Sequence, residues 1–157
     1  MSKKRFDRYL IRAQRFGART VLFQDAAARR LGLTATELEC IRLVQHEAPL
    51  TATYLADQTG LTRASLSVIV DKLVNRGFLD REQDQSDRRR WNLRANPAMI
   101  AEIDTLYEAH AERVEALLSG YSDREFEVAL RFMDELAEEL KITAVELGQD
   151  DAPENMS

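Results

Sequence analysis

Apolar residues recur along most of this chain at helical spacing. Leu66, Ile69, Val70, Leu73 and Val74 stand at i, i+3, i+4, i+7 and i+8, which is one stripe of an α-helix and fits no strand period. Thr62 just before the stripe is a hydroxyl N-cap, Leu61 and Leu66 are placed to close over it as a hydrophobic staple, and Gly77 after Asn75 and Arg76 ends the helix. Upstream, Thr51 to Gly60 (TATYLADQTG) predicts a shorter helix capped by Thr51, with Leu55 and Ala56 beneath the next helix and Gly60 forming the tight turn between them. Downstream the period changes. Phe78 and Leu79 open a strand, and Trp91 and Leu93 lie at alternate positions of a returning one. Between them lies the charged tip REQDQSDRRR.

The flanks are helical as well. A long helix without proline runs from Phe6 to about Leu31, and Thr34 with Glu37 forms a capping box that opens another, expected to end near Pro49. Asn96 followed by Pro97 is a helix start, because proline at the first helical position removes an N–H that had no partner there. Ile100, Ile103, Tyr107, His110, Val114, Leu117 and Tyr121 then form a heptad-like seam. Ser122 and Glu125 make a second capping box, with Tyr121 and Phe126 as its staple, opening a last helix through Phe126, Leu130, Met133 and Leu140. The polar tail Gln149–Ser157 reads as disordered. The predicted fold is mainly α: a winged helix-turn-helix with a two-stranded β wing, flanked by long N- and C-terminal helices suited to dimerisation. The segments are 1–32 and 96–148 for dimerisation, 33–95 for the winged helix-turn-helix, and 149–157 for the tail. The seam also fits an intramolecular core; the size of the flanks favours the dimer, because single modules of this kind bind specific DNA weakly.

Charge changes the picture only when divided along the chain. The net charge is −5 in 157 residues. Met1 to Gly32 holds nine basic and two acidic residues, whereas Asn96 to Ser157 holds four and sixteen. A polyanion feels the local field, so the basic first helix and tip can face it while the acidic end is kept away. The hydrophobic fraction of 45% is enough for a packed core. No run of about 18 apolar residues is present, and Met1 to Arg5 leads into an arginine-studded helix instead of a signal-peptide core, so a cytoplasmic protein without membrane contact is expected. A single cysteine, Cys40, forms no intrachain disulfide and reads as a buried small residue.

The chain carries no Gly-rich phosphate loop, nucleophile elbow or Cys-x-x-Cys, and no enzyme or cofactor is expected. His46 and His110 are the only histidines; His110 falls on the apolar seam with Val114 four residues on, so a His-x-x-x-His pair is absent and no metal site is expected.

The outward face of the predicted second helix carries Arg63, Ala64, Ser67, Val68, Asp71, Lys72 and Asn75. Small and hydroxyl side chains beside Arg63 are what close approach to phosphates and base edges requires, although solvation alone accounts for many such faces. Arg88, Arg89 and Arg90 at the hairpin tip repel one another and suit the negative potential of a minor groove, or else a merely solvated turn. Thr51 and Thr53, at the start of the first helix of the motif, join the DNA-binding candidates.

The order of these elements, with LTRASLSVIVDKLVNRGFLDRE followed by D-x-x-D-R-R, resembles the MarR family of bacterial transcriptional regulators over nearly the whole chain, most specifically from Leu55 to Leu93. The resemblance implies a triangular homodimer in which the first, fifth and sixth helices interlock. It makes Thr62, Arg63, Ala64, Ser65 and Ser67 the major-groove positions and Arg88 or Arg89 the minor-groove arginine, and it makes Asp84 and Asp87 wing acids that tie the loop to the body by ion pairs. Val68 departs from the polar or basic residue of many relatives, so that a phosphate contact is missing there or is replaced by apolar contact with a thymine methyl. Ala95-Asn96-Pro97 replaces the usual threonine-rich entry to the fifth helix. The implied function is a homodimeric, sequence-specific repressor on an inverted-repeat operator in double-stranded DNA, released by a small-molecule effector that in this family is often an aromatic acid. The alternative is a winged-helix architectural or protein-interaction module without ligand response. Arg12, Arg15 and Arg19 could meet such a carboxylate, although solvent or DNA suits them better. No residue identifies an effector.

Overall fold

A computed structural model describes residues 3–150, with side chains through Leu147. Six helices and three strands follow in the order α1 (Lys3–Arg30), α2 (Ala35–Glu47), β1 (Leu50–Thr51), α3 (Ala52–Thr59), α4 (Arg63–Asn75), β2 (Leu79–Gln83), β3 (Trp91–Ala95), α5 (Pro97–Leu118) and α6 (Asp123–Asp150). This is a winged helix-turn-helix between long terminal helices. Gln149 and Asp150 continue α6 instead of starting a tail, and the rest of the expected disordered tail, 151–157, lies outside the described residues.

Local chemistry explains the ends of the helices. Thr34 and Glu37 form the full capping box of α2, each side chain accepting from the other residue's backbone N–H. Asn96 caps α5 by accepting from the Ala98 amide, and Ser122 with Glu125 makes the same reciprocal pair before α6. At the end of α4, Gly77 takes φ +76°; its N–H donates to the Val74 carbonyl, and the Phe78 N–H donates to that of Leu73. That is a Schellman closure, which a residue with a Cβ reaches only with strain. Phe78 is therefore still part of the helix cap, and the strand starts one residue later than expected.

The expected two-stranded wing is formed by β2 and β3, and a third strand that the sequence did not signal extends its sheet. The strand order is β1-β3-β2, all antiparallel, with Leu50 opposite Leu93 and Thr51 opposite Asn92 on one side of β3, and Leu79 opposite Ala95 on the other. β1 has only two residues, too few for an alternating pattern to register in the sequence.

The core sits in the middle of the chain. Leu38, Ile41 and Val44 of α2, Leu55 of α3, Leu66, Val70 and Leu73 of α4, Leu79 and Leu93 of the sheet and Ile103 of α5 are buried together. Each large aliphatic side chain contributes about 1.5–3 kcal/mol by leaving water. The terminal helices contribute little to it: α1 buries only Ala28, α5 only Ile103, and α6 buries none of its described residues. Three contacts dock α5 on α1: the Tyr107 hydroxyl donates to Gln24 Oε1 at 2.8 Å, and Phe23 lies edge-on to Tyr107 and tilted against His110. Cys40 is buried, and burial, aided by the Glu39 and Glu37 carboxylates, pushes its thiol up to about 11. No described helix is long and apolar enough to cross a membrane.

Candidate nucleic-acid interface

The buried stripe of α4 fixes what its other side presents. With Leu66, Val70 and Leu73 in the core, Arg63, Ala64, Ser65, Ser67, Val68, Asp71, Lys72 and Asn75 are all exposed. At the helix start the Thr62 hydroxyl accepts from the Ser65 amide at 3.2 Å and donates to Ser65 Oγ at 2.9 Å. Thr62 is thereby committed to the cap, while Ser65 keeps its own hydroxyl proton. Arg63 enters no ion pair among the described residues. Val68 is 69% exposed, an apolar side chain set in the middle of a polar face.

Further along the same face the charges are paired. Asp71 meets Arg81 of β2 at 2.5 Å, joining α4 to the wing. Lys72 reaches back to Glu37 at 2.5 Å, a carboxylate whose side chain is only 6% exposed. Burial works to raise the Glu37 carboxyl, and the Lys72 ammonium and the Thr34 amide outweigh it, so the group titrates below the ordinary glutamate range. Lys72 therefore neutralises a buried acid at the start of α2. Past the helix, Arg76 donates to the carbonyls of Gly32 at 2.8 Å and Leu31 at 3.0 Å, meeting the chain where α1 ends.

The wing tip is held from within. Asp84 Oδ1 accepts from the Ser86 hydroxyl and amide and from the Asp87 amide, and Oδ2 accepts from Asn92 Nδ2 of β3 at 2.9 Å. These donors, the Ser86 hydroxyl foremost, hold the Asp84 carboxyl far below the usual carboxylate range. Asp87 Oδ1 accepts from Arg89 Nε at 3.2 Å and from the Arg89 amide, and Oδ2 faces Arg90 at 3.8 Å; the Arg89 side chain is the main reason its carboxyl is lowered. Asp84 holds the loop through Ser86, the Asp87 amide and Asn92, and Asp87 through Arg89 and Arg90; among the described residues neither makes the ion pair to the body that the resemblance implies. Arg88, whose carbonyl accepts from Gln83 Nε2, is exposed and enters no ion pair among the described residues. The three arginines are thus unequal.

Thr51, Thr53, Arg89 and Arg90 come together around a polar notch of about 480 Å³ between the start of α3 and the wing. Thr51 caps α3 by accepting from the Tyr54 amide, while Thr53 is exposed. Trp91, 54% exposed, forms a wall of this notch. By alternation it shares a face of β3 with the buried Leu93, two positions on, so its exposure at the tip end of the strand is not a signal that the pattern offers. Ser86 and Asn92 were missed as wing supports, since nothing local marks them.

Residues 31–90 match the family model described as MarR family. The HTH-type transcriptional regulator YcgE of Bacillus subtilis is 34% identical over 125 residues, covering 80% of this chain and 81% of that protein. The HTH-type transcriptional repressor YetL of the same organism is 25% identical over 93 residues, covering 59% and 56%. Among solved structures, FabT of Streptococcus pneumoniae, in complex with DNA, has the same fold with a TM-score of 0.67 at 16% identity, covering 90% of this chain and 99% of that one.

Proposed function

The chain belongs to the MarR family of transcriptional regulators, and from that premise we propose that it acts in the cytoplasm as a homodimeric repressor that occupies an inverted-repeat operator and leaves it when a small molecule binds. DNA binding and the absence of enzymatic chemistry come with the family. The observation that carries the finer reading is the division of the α4 face: its first two turns offer Arg63, Ala64, Ser67 and Val68 without side-chain ties among the described residues, with Ser65 tied only to the Thr62 cap, while Asp71 and Lys72 are engaged. The N-terminal part of a recognition helix is the part that reads base edges. Arg63 is the side chain for guanine or phosphate, and Arg88, the wing arginine outside the Asp87 pairs, is the one that enters the minor groove. Arg89, Arg90, Thr51 and Thr53 line the backbone between them.

Dimerisation is supported by the terminal helices. Phe16 and Leu22 of α1, Leu117 of α5, and Met133, Leu140 and Leu147 of α6 are each 58% or more exposed in the single chain. Apolar surface of that extent marks an interface. A two-fold dimer would set two α4 helices about one helical turn of DNA apart. Blocking a promoter requires only occupancy, which favours repression.

The test is selection of the purified protein against a random duplex pool at near-physiological salt. Recovery of an inverted repeat with half-sites about one turn apart is the expected result. Retention without a motif would replace the regulator by the architectural reading, and no retention by the protein-interaction one.

A further inference from the structure

Among the described residues, one buried side-chain oxygen or nitrogen has no hydrogen-bond partner: Oε1 of Glu39. A buried carboxylate oxygen without a donor is costly, and a water, an ion or another polar group that reaches it relieves the cost. Glu39 lines a cleft of about 490 Å³ between α1, α2 and α3, a size suited to a small organic molecule. Val21, Ala35 and Leu43 give the cleft apolar walls, and Gln24, Gln58 and threonine hydroxyls complete its rim. Two donors near Glu39 are committed elsewhere. The Thr59 hydroxyl donates to the Leu55 carbonyl at 2.8 Å, and Arg42 is held by Asp104 at 3.3 Å and lies over the Tyr107 ring at 4.6 Å. Of the residues lining the cleft, Glu39 alone is charged.

We propose that this cleft binds a small organic cation, an amine or amidine carried on an apolar ring system, with its N–H groups donating to Glu39 and its ring between Val21 and Leu43. This rests on the effector-release reading above and gives that effector a charge. The family expectation of an aromatic acid fits poorly, because an anion would face the Glu39 carboxylate with no cation in the lining to receive it. Burial pushes the Glu39 carboxyl above the ordinary glutamate range, against a smaller pull from Arg42. A cation beside it favours the ionised form. The position also suits an effector, since α1, α2 and α3 all line the cleft and α2 carries the Glu37 that pairs with Lys72 on α4.

The test uses the full-length protein and two probes with the same ring, 1-naphthylmethylammonium and 1-naphthoate, titrated by calorimetry. The ammonium should bind about tenfold or more tightly than the carboxylate. Glu39→Gln, nearly the same shape without the charge, should abolish that preference while the melting temperature and dimer are unchanged. Thr36→Trp, at an exposed position on the cleft rim, should exclude both probes. Equal or tighter binding of naphthoate, an unaltered preference in Glu39→Gln, or no binding of either probe at millimolar concentration would overturn the proposal. Dissociation of the Glu39→Gln dimer with neither probe bound would assign the missing donor to a second copy of the chain, and would overturn it too. DNA retention by the same preparations keeps the two readings apart: retention without a cation preference removes the cleft proposal alone, and a cation preference without retention removes the regulator while leaving the cleft.

Discussion

The winged lobe and the terminal helices both carry apolar stripes on their helices, yet the lobe closes its core and the terminal helices do not. In α4 the apolar stripe meets α2, α3 and the sheet, and Leu66, Val70 and Leu73 are all buried. In α6, a helix twice as long, none of the described side chains is buried and Met133, Leu140 and Leu147 face outward. An amphipathic helix therefore has two outcomes. Where neighbours in the chain can reach the stripe it stabilises a fold, and where they cannot it is left to bind a second molecule.

The sharpest way to break this contrast is to damage each region by its own means. Leu73→Ala should cost about 2–5 kcal/mol of stability, because the surrounding lobe cannot collapse onto the gap; thermal melting by circular dichroism reads it. Phe16→Glu with Leu22→Glu, both at positions 68% exposed, should leave the lobe folded and yield a monomer in sedimentation. Operator affinity should then drop by about a hundredfold or more through lost bivalency. If the double variant melts like Leu73→Ala instead, the helices belong to the core and the contrast fails.

Within the lobe, the two halves of the α4 face should separate in the same way. Arg63→Ala should weaken operator binding by about 1–3 kcal/mol and relax preference at one base pair, with stability unchanged; affinity across a set of single-base operator variants checks it. Lys72→Met should do the reverse. It leaves Glu37 buried without its cation and should destabilise the protein at neutral pH by about 1–2 kcal/mol, less than for a fully buried pair because Lys72 is half exposed. Glu37 is lowered in the folded protein, so its contribution is present above the ordinary value of 4.5 and is lost as pH falls through the lowered one. The gap between wild type and Lys72→Met should therefore narrow below about pH 4.5 in urea melts, in line with the reference glutamate value. A gap independent of pH would detach Lys72 from Glu37 and return it to the DNA-facing set.

Much of the lobe was legible because its signals are local. The Thr62 cap, the apolar period of α4 and Gly77 lie within sixteen residues, and each states its own geometry. The Thr34–Glu37 box was readable for the same reason. What Glu37 does beyond the box was not, since Lys72 lies 35 residues away and only the packing of α4 on α2 brings it near. The third strand escaped through its brevity. The inequality of the wing arginines depends on which of them the Asp87 carboxylate turns toward, a matter of loop geometry that three identical letters cannot express. Glu39 followed a similar course: on the sequence it is one acid of a capped helix, and its cleft exists only once α1 and α3 are in place.

The division of the α4 face also bears on how such a protein can change over generations. Ala64, Ser67 and Val68 are exposed and hold no other element in position, so exchanging them should shift stability by no more than about 0.5 kcal/mol. A duplicated copy could therefore acquire a new target sequence by drift at a few codons without passing through an unfolded ancestor. The positions that anchor the helix, Leu66, Val70, Leu73 and the Lys72 that answers Glu37, would stay under constraint throughout.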